Sequence, residues 1–572
     1  MVIEYIKSFL GIVFSFNEKS PLLFTQFYFW AFFAMVFAVF SLFKNKRLLR
    51  NTFLFLASLF FYYKTSGLFV LILIFSTIYG FGIGKWIART DNRTKQKWWL
   101  FTGVFINLLV LCYFKYAYFF TDLYNSFFHS DYEIVNYLAK WCNEWSNSTR
   151  FDAGKILLPV GISFYTFQNI SYLVDIYRKK VEPVQNLLDF GFYTSFFPGL
   201  VAGPIVRANQ FIPQLYQKFF LSRRQFGIAV FWILNGLLKK MILSDYLAVN
   251  FVDRVFDYPT LATGFENLMA LFVYSLQVYA DFSGYTDIAI GVAMLMGFYL
   301  PINFNAPYKA TNCGNFWKRW HISLSTWLKD YLYIPLGGSK KGKVRTQINL
   351  MLTMLLGGLW HGASWNFMIW GGLNGVGILT FKLWKNLKKH IRTILTFSGF
   401  AIFFILNMIY PHPAFVIGIV WLGIIFFGTF IDQIYTLFFN KQPVPWVNKS
   451  WSILLTFTFI TFTRLFFRSG SNLRPSEANQ MAWETANSMI TMIGSPWNTK
   501  IIPSIISEYR YIFILFIVGM IIHWLPNRFK RRYRIWFAQL PIAVIGLIVV
   551  ATIFILYQFV TADLQPFIYF QF

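Results

Sequence analysis

"PAFVIGIVWLGIIFFGTF", residues 413–430, runs for eighteen positions without a charged side chain. Crossing roughly 30 Å of hydrocarbon takes about 20 helical residues at about 1.5 Å each, so the stretch predicts a membrane span at 413–439. In lipid, backbone N–H and C=O groups are satisfied only within a helix or a closed barrel. The sequence has no recurring ten-residue alternation of the barrel kind. An all-α, polytopic integral membrane protein follows.

Composition supports this over the whole chain. Of 572 residues, 57% are hydrophobic, 22% aromatic and 13% charged, and the mean hydropathy of +0.51 is too high for an ordinary soluble domain. Further spans are expected at 22–43, 51–64, 67–84, 99–121, 156–176, 189–206, 226–243, 265–298, 346–375, 393–411, 451–468, 510–526 and 536–560. The pair 51–64 and 67–84 reads as a helical hairpin. The stretch 299–345 is rich in Pro, Asn, Gly, Trp, Lys and Arg but lies between apolar segments; it reads as a re-entrant or interfacial funnel, since irregular backbone is tolerated where it is buried or lines a cavity. With no repeat evident to inspection, no soluble domain and no long linker, one membrane domain over 1–572 is the simplest organisation. Its parts are N-terminal helices to 155, a core at 156–375 and C-terminal helices at 376–572.

The formal charge of +28 is clustered between spans, at Lys44–Arg50, Arg89–Lys97, Arg223 and Arg224, Lys340–Arg345, Lys382–Arg392 and Arg528–Arg534. That distribution argues against nucleic acid and, by the positive-inside bias, puts these loops in the cytoplasm. The polar segments 122–155 and 469–508 are then exterior loops. Cys112, Cys142 and Cys313 have no metal-like spacing, so neither a metal site nor a structural disulfide is expected. The run Phe9–Phe16 lacks a strongly basic start and a small-residue cleavage site, so no cleaved leader is expected.

Polar residues inside apolar segments mark candidate sites. A mid-bilayer carboxylate costs about 2.5 to 3.5 kcal/mol and normally faces a partner or a wet cavity. In 265–298, Gln277, Asp281, Gly284 and Tyr285 share a helix face, with Asp287 to one side. They form either a buried network or a substrate contact. Gln168, Ser171, Tyr172 and Asp175 make a similar stripe. In "SFFPGLVAGPIVRANQF", 195–211, Pro198, Gly199, Gly203 and Pro204 break a helix beside Arg207. "LLGGLWHGASWNF", 355–367, sets His361 within an expected helix, among Gly357, Gly358, Gly362, Ala363 and Ser364 and between Trp360, Trp365 and Trp370. Imidazole is the commonest general base. The bland alternative is a structural histidine, with Gly358 and Gly362 admitting a close helix neighbour.

Five strings in order, "LPVGISFYTFQNISYLVDIYR" (158–178), "SFFPGLVAGPIVR" (195–207), "LQVYADFSGYTDIAIG" (276–291), "NFNAPYKATNCGNFWKRWHISLSTWLKDYLYIPLGG" (303–338) and "GGLWHGASWNFMIWGGLNG" (357–375), resemble the membrane-bound O-acyltransferase family, in its bacterial alginate O-acetylation branch. Beyond about 385 only "TRLFFRS", 463–469, echoes it. The resemblance implies a ring of tilted transmembrane and re-entrant helices around a central funnel or tunnel. It makes His361 the signature catalytic histidine and His321 the second. Trp360, Asn366, Trp317, Arg319, Trp320, Ser325, Asp281, Tyr285, Asp287 and Arg207 would line the substrate path. Lys340, Lys341 and Arg345 would meet coenzyme A phosphates at the donor mouth. No bound cofactor is implied; acetyl-CoA is the acyl donor, and an extracytoplasmic SGNH-type partner completes transfer to a polysaccharide. The implied location is the bacterial cytoplasmic (inner) membrane, with lipid all round. Two rival readings stand beside it: D-alanyl transfer from a carrier protein to teichoic acid, and a transporter or polysaccharide-export channel with a His/Asp proton relay.

Overall fold

The computed structural model describes residues 16, 21–149, 151–201, 203–439, 445–468 and 474–559. The run Phe9–Phe16, except its last residue, and residues 469–473 of the expected exterior loop lie outside these. Among the described residues the secondary structure is helical throughout, without strands. Among the described residues seven helices are long and apolar enough to cross a membrane, including Arg93–Phe128, Lys389–Ile409, Pro413–Phe438 and Ile542–Phe559. They become eight if Thr499–Glu508 and Arg510–Trp524, bent by 81° at their junction, count as one span.

The described residues fall into two compact units. One holds the chain up to Leu237 with Gly284–Ile302 and Arg531–Phe554; the other holds Leu238–Ser283, Asn303–Lys530 and the residues from Ile555. In the first unit, buried Arg50 donates to the Leu215 and Gln217 carbonyls at 2.7 and 3.1 Å, and Asn51 donates to Asp189 at 2.9 Å. A buried cation is tolerable only with such partners. The polar stripe of Ile162–Tyr177 is buried here too: Tyr172 Oη accepts from the Val184 N–H at 3.0 Å, and Asn169 donates to the Ser76 carbonyl at 3.2 Å.

Several expected boundaries are corrected. Helices Arg47–Ser66 and Val70–Arg89 meet at a 3₁₀ turn, Gly67–Phe69, with Gly67 at φ +60°. They are not a self-packed hairpin: the first packs on Leu187–Ser195 and the second on Ile162–Tyr177 and Arg93–Leu111. The span expected at 536–560 is two helices, Asn527–Gln539 and Ile542–Phe559. Pro541 separates them by disfavouring the helical conformation at the residue before it. Much of the expected exterior loop 469–508 is the helix Pro475–Gly494, whose Ala478, Ala482, Ala486 and Met489 form a buried face at three- and four-residue spacing.

The correction that matters most for the second unit concerns 346–375. One helix was expected; two are found, Lys343–His361 and Trp365–Trp384, folded back on each other. The break at Gly362–Ser364 leaves His361 as the last residue of its helix rather than its middle. Close approach makes the turn possible: a Cβ on Gly358 would lie 2.2 Å from the Phe367 carbonyl oxygen, and one on Gly371 would lie 2.3 Å from that of Met354. Both distances are far inside contact, so any side chain forces the helices apart. Gly358→Ala and Gly371→Ala are therefore each expected to destabilise the hairpin by roughly 1 to 3 kcal/mol, read as a lower unfolding temperature of the purified protein, with Gly342→Ala, where a Cβ meets nothing within 4 Å, as the comparison for backbone strain alone. Unchanged melting in both hairpin variants would contradict the packing.

Sidedness has a native reporter, because Cys142 is exposed while Cys313 is buried. A membrane-impermeant maleimide added to spheroplasts is expected to label Cys142 and not a cysteine placed at exposed Lys340; labelling at 340 would invert the expected topology.

Candidate active site around two buried histidines

His361 and His321 meet within the second unit. Both are buried, with ring centroids 6.2 Å apart. Around His361 stand Trp360 and Trp370, each at 5.0 Å, and Phe467 at 5.5 Å, all close to edge-on. His321 lies 4.6 Å from Phe282 and 5.7 Å from Trp360. The hairpin turn sets the position of His361; a polar clamp sets that of His321.

His321 adopts φ 44°, ψ 57° just before the helix Ile322–Leu328. This left-handed conformation costs a non-glycine residue about 1 to 2 kcal/mol, so neighbouring bonds must hold it. Asn303 does so on the C-terminal side of the histidine. Its carbonyl accepts from the Ile322 N–H at 2.9 Å, and its side-chain oxygen accepts from the Ser323 N–H at 3.1 Å and Ser323 Oγ at 2.9 Å. On the N-terminal side the Asn305 N–H donates to the Arg319 carbonyl at 2.9 Å.

Two cavities share His361 as part of their walls. The larger, about 260 Å³, is lined by Trp317, Leu324, Ser325, Leu328, Lys329, Tyr333, Thr353, Gly357, Gly358, Trp370 and Lys382 among others. The smaller, about 10 Å³, has room for roughly one water and is bounded by Phe282, Phe316, Trp320, Trp370, Asn374, Arg464 and Phe467. The first combines an apolar wall with two lysines; the second is aromatic with one guanidinium. His361 and Trp370 thus both border a roomy, basic-edged space and a tight aromatic one.

Of the residues expected at the site, Trp317, Ser325 and Trp320 line one or other cavity, and Trp360 packs on both histidines. Asn366 lines neither. It donates to the Phe466 carbonyl at 3.0 Å, and its own N–H donates to Asn479 Oδ1 at 3.2 Å, so it fixes the segment that carries Arg464 and Phe467. Arg319 braces its own loop through Asn315 and the Asn305 carbonyl. Asp281 is ion-paired with buried Lys240 at 2.6 Å, and the same ammonium meets Asp245 at 2.7 Å. Tyr285, Asp287 and Arg207 belong to the first unit, where Tyr285 stacks on Phe24 at 4.6 Å and Asp287 accepts from Asn235 at 2.7 Å. Lys340, Lys341 and Arg345 are exposed on the turn and first helical residues that precede His361 by up to 21 positions, and none of them lines either cavity.

Several residues of the site escape sequence reasoning. Arg464 donates to the Ser275 carbonyl at 3.2 Å and lies over the Trp320 ring at 4.7 Å. The signal was available, an arginine closing an apolar run, but nothing local ties it to a histidine more than 100 positions earlier. Asn303, Lys329 and Lys382 likewise look like ordinary loop or helix-end residues. Lys240 is hidden at the end of an apolar helix and becomes visible only through Asp281.

Comparison with known proteins gives sequence relatives over the middle of the chain. Residues 179–421 match MBOAT, the membrane-bound O-acyltransferase family. The chain is 40% identical over 354 residues to the probable alginate O-acetylase AlgI of Pseudomonas syringae pv. tomato, covering 61% of this chain and 65% of that protein. It is 35% identical over 360 residues to a peptidoglycan O-acetyltransferase of Helicobacter pylori, covering 58% and 64%. Similarity to a teichoic acid D-alanyltransferase of Streptococcus thermophilus is 29% over 248 residues, covering 41% and 59%. In each case the matched part is less than two thirds of the relative's length, and Arg464 and Phe467 fall beyond the family match. Both histidines lie inside that match, so over those residues the chain is similar to the membrane-bound O-acyltransferase family.

Proposed function

We propose that this protein is an O-acyltransferase that moves an acetyl group from cytoplasmic acetyl-CoA toward hydroxyls of an extracytoplasmic polysaccharide, in the bacterial inner membrane and with a secreted SGNH-type partner. The observation that carries this reading is the shared wall: His361 borders both the basic-edged cavity and the aromatic one. A group that must accept a proton from one reactant while touching the other belongs at such a boundary. The names of the alginate and peptidoglycan relatives favour acetyl transfer to a polysaccharide.

In this reading the imidazole of His361 takes the proton of the acceptor hydroxyl as its oxygen attacks the thioester carbonyl. The carbon–sulfur bond breaks, and the departing thiolate takes that proton back from the imidazolium. A weak hydroxyl nucleophile needs such a base, and the carbonyl oxygen needs a donor as charge builds on it. His321 is assigned to orient the thioester or meet that oxygen. Trp360, Trp370 and Phe467 exclude water that would otherwise hydrolyse the donor. Lys329 and Lys382 meet the donor inside the cavity, and the turn with Lys340, Lys341 and Arg345 meets its nucleotide phosphates. The rise from Arg345 to His361 is about 24 Å of helix, which matches a donor with a long flexible arm.

The teichoic acid relative motivates a second donor, an aminoacylated carrier protein docking on the same basic turn. Assay of the purified protein with its partner and labelled acetyl-CoA separates the two, since the carrier reading predicts no acetyl-CoA turnover. His361→Ala is expected to lower acetyl transfer by roughly 10²- to 10⁴-fold while the protein still purifies as a monodisperse species. Lys329→Gln with Lys382→Gln is expected to raise the KM for acetyl-CoA with a smaller effect on kcat. Near wild-type turnover by folded His361→Ala would refute the assignment of the base.

A further inference from the structure

In the second unit, cations that line neither cavity gather from separate elements. Lys309 closes the 3₁₀ turn Pro307–Lys309 and donates to the Leu525 carbonyl at 2.6 Å. Lys530, in the first turn of Asn527–Gln539, donates to the His523 carbonyl at 2.7 Å. Arg319 reaches the Asn305 carbonyl at 3.1 Å, and Asn305 in turn accepts from Asn527 at 3.2 Å, which ties the two loops together. Lys239 lies 5.6 Å over the ring of Tyr279, which packs on His523 at 4.6 Å.

Capping explains part of this. The carbonyls of His523 and Leu525 lie at the C-terminal end of the helix Arg510–Trp524, where a cation is favourable. One lysine suffices for that. Each ammonium spends one of its three donors on a carbonyl and keeps two. Among the described residues no carboxylate forms a salt bridge with Lys309, Arg319 or Lys530. Lys530, outside the candidate spans, is pushed down to about 8 by burial and then by Lys309 and Lys239. Lys309 is lowered by burial and then by Arg319 and Lys449. The cations strain against one another, which a bound anion would relieve.

We propose that Lys309, Arg319 and Lys530, with Lys239 beside them, form a binding site for a phosphate-bearing ligand. The neighbouring surface favours an anionic phospholipid headgroup as its source: Ile521, Trp524 and Phe529 are exposed apolar side chains next to the lysines, suited to acyl chains and superfluous for free phosphate. Basic pockets between membrane helices on the cytoplasmic side bind anionic headgroups in this way. A soluble phosphate ester, including coenzyme A, carries the same chemistry without the chains.

The test is native mass spectrometry of the full-length protein in detergent, titrated with phosphatidylglycerol, phosphatidylcholine, inorganic phosphate or coenzyme A. Wild type is expected to retain phosphatidylglycerol over phosphatidylcholine, and K309Q with K530Q to lose that preference by about fivefold per lysine. K95Q with K97Q, exposed lysines elsewhere, is expected to leave it unchanged. If coenzyme A or phosphate binds in a Lys309- and Lys530-dependent manner and phosphatidylglycerol does not, the site stands and its source is soluble. Equal retention of both lipids, with no Lys309- and Lys530-dependent binding of phosphate or coenzyme A, overturns the proposal. So does an intact preference in a folded K309Q/K530Q protein. R319Q, which removes no lysine cap, gives a second reading should the double variant lose its fold.

Discussion

Two glycines in contact set the site. Gly358 and Gly371 let the helices on either side of His361 approach until a methyl group no longer fits, and the three-residue turn between them presents the imidazole at a helix end. In lipid there is no hydrophobic drive to press helices together, so association depends on close packing and polar contacts, and small residues at the crossing permit both. A histidine in mid-helix would have its backbone groups committed and a single face available. At the turn its ring borders two spaces at once, and Trp360, Trp370 and Phe467 close around it.

The rest of the site is held by asparagines rather than by charges. Asn303 fixes the left-handed His321, Asn366 pins the Phe466 carbonyl, and Asn479 accepts from the Asn366 N–H in the first turn of the helix that follows. An amide both donates and accepts, so it can bridge segments far apart in sequence without the desolvation cost of an ion. Lys240 with Asp245 and Asp281 is a buried ionic group, and its Asp281 lies one residue before Phe282, which packs against His321. Breaking it by removing one partner would leave an uncompensated charge.

Legibility followed the range of the interactions. The all-helical membrane class rests on runs of about 20 apolar residues, a local property, and was readable directly. The two histidines with Trp317, Trp320 and Trp360 lie in dense local strings, and the fold brings them together. The break after His361 was not readable, because hydropathy is continuous across Gly362–Ser364 and only the packing of Gly358 on Phe367 shows the fold-back. The helix Pro475–Gly494 reads as a loop on its polar composition, although Ala478, Ala482, Ala486 and Met489 keep helical spacing. Arg464 reaches the site through contacts more than a hundred residues long in sequence, and no local pattern carries those.

The central claim is that His361 stands where donor and acceptor spaces meet. An electron cryo-microscopy structure with a non-cleavable ketone analogue of acetyl-CoA examines it directly. The account predicts the analogue's arm in the cavity lined by Ser325, Lys329 and Lys382, with its carbonyl carbon within hydrogen-bonding reach of the His361 ring through an intervening hydroxyl or water. Analogue density at another site, with the His361 cavities unchanged, would contradict it.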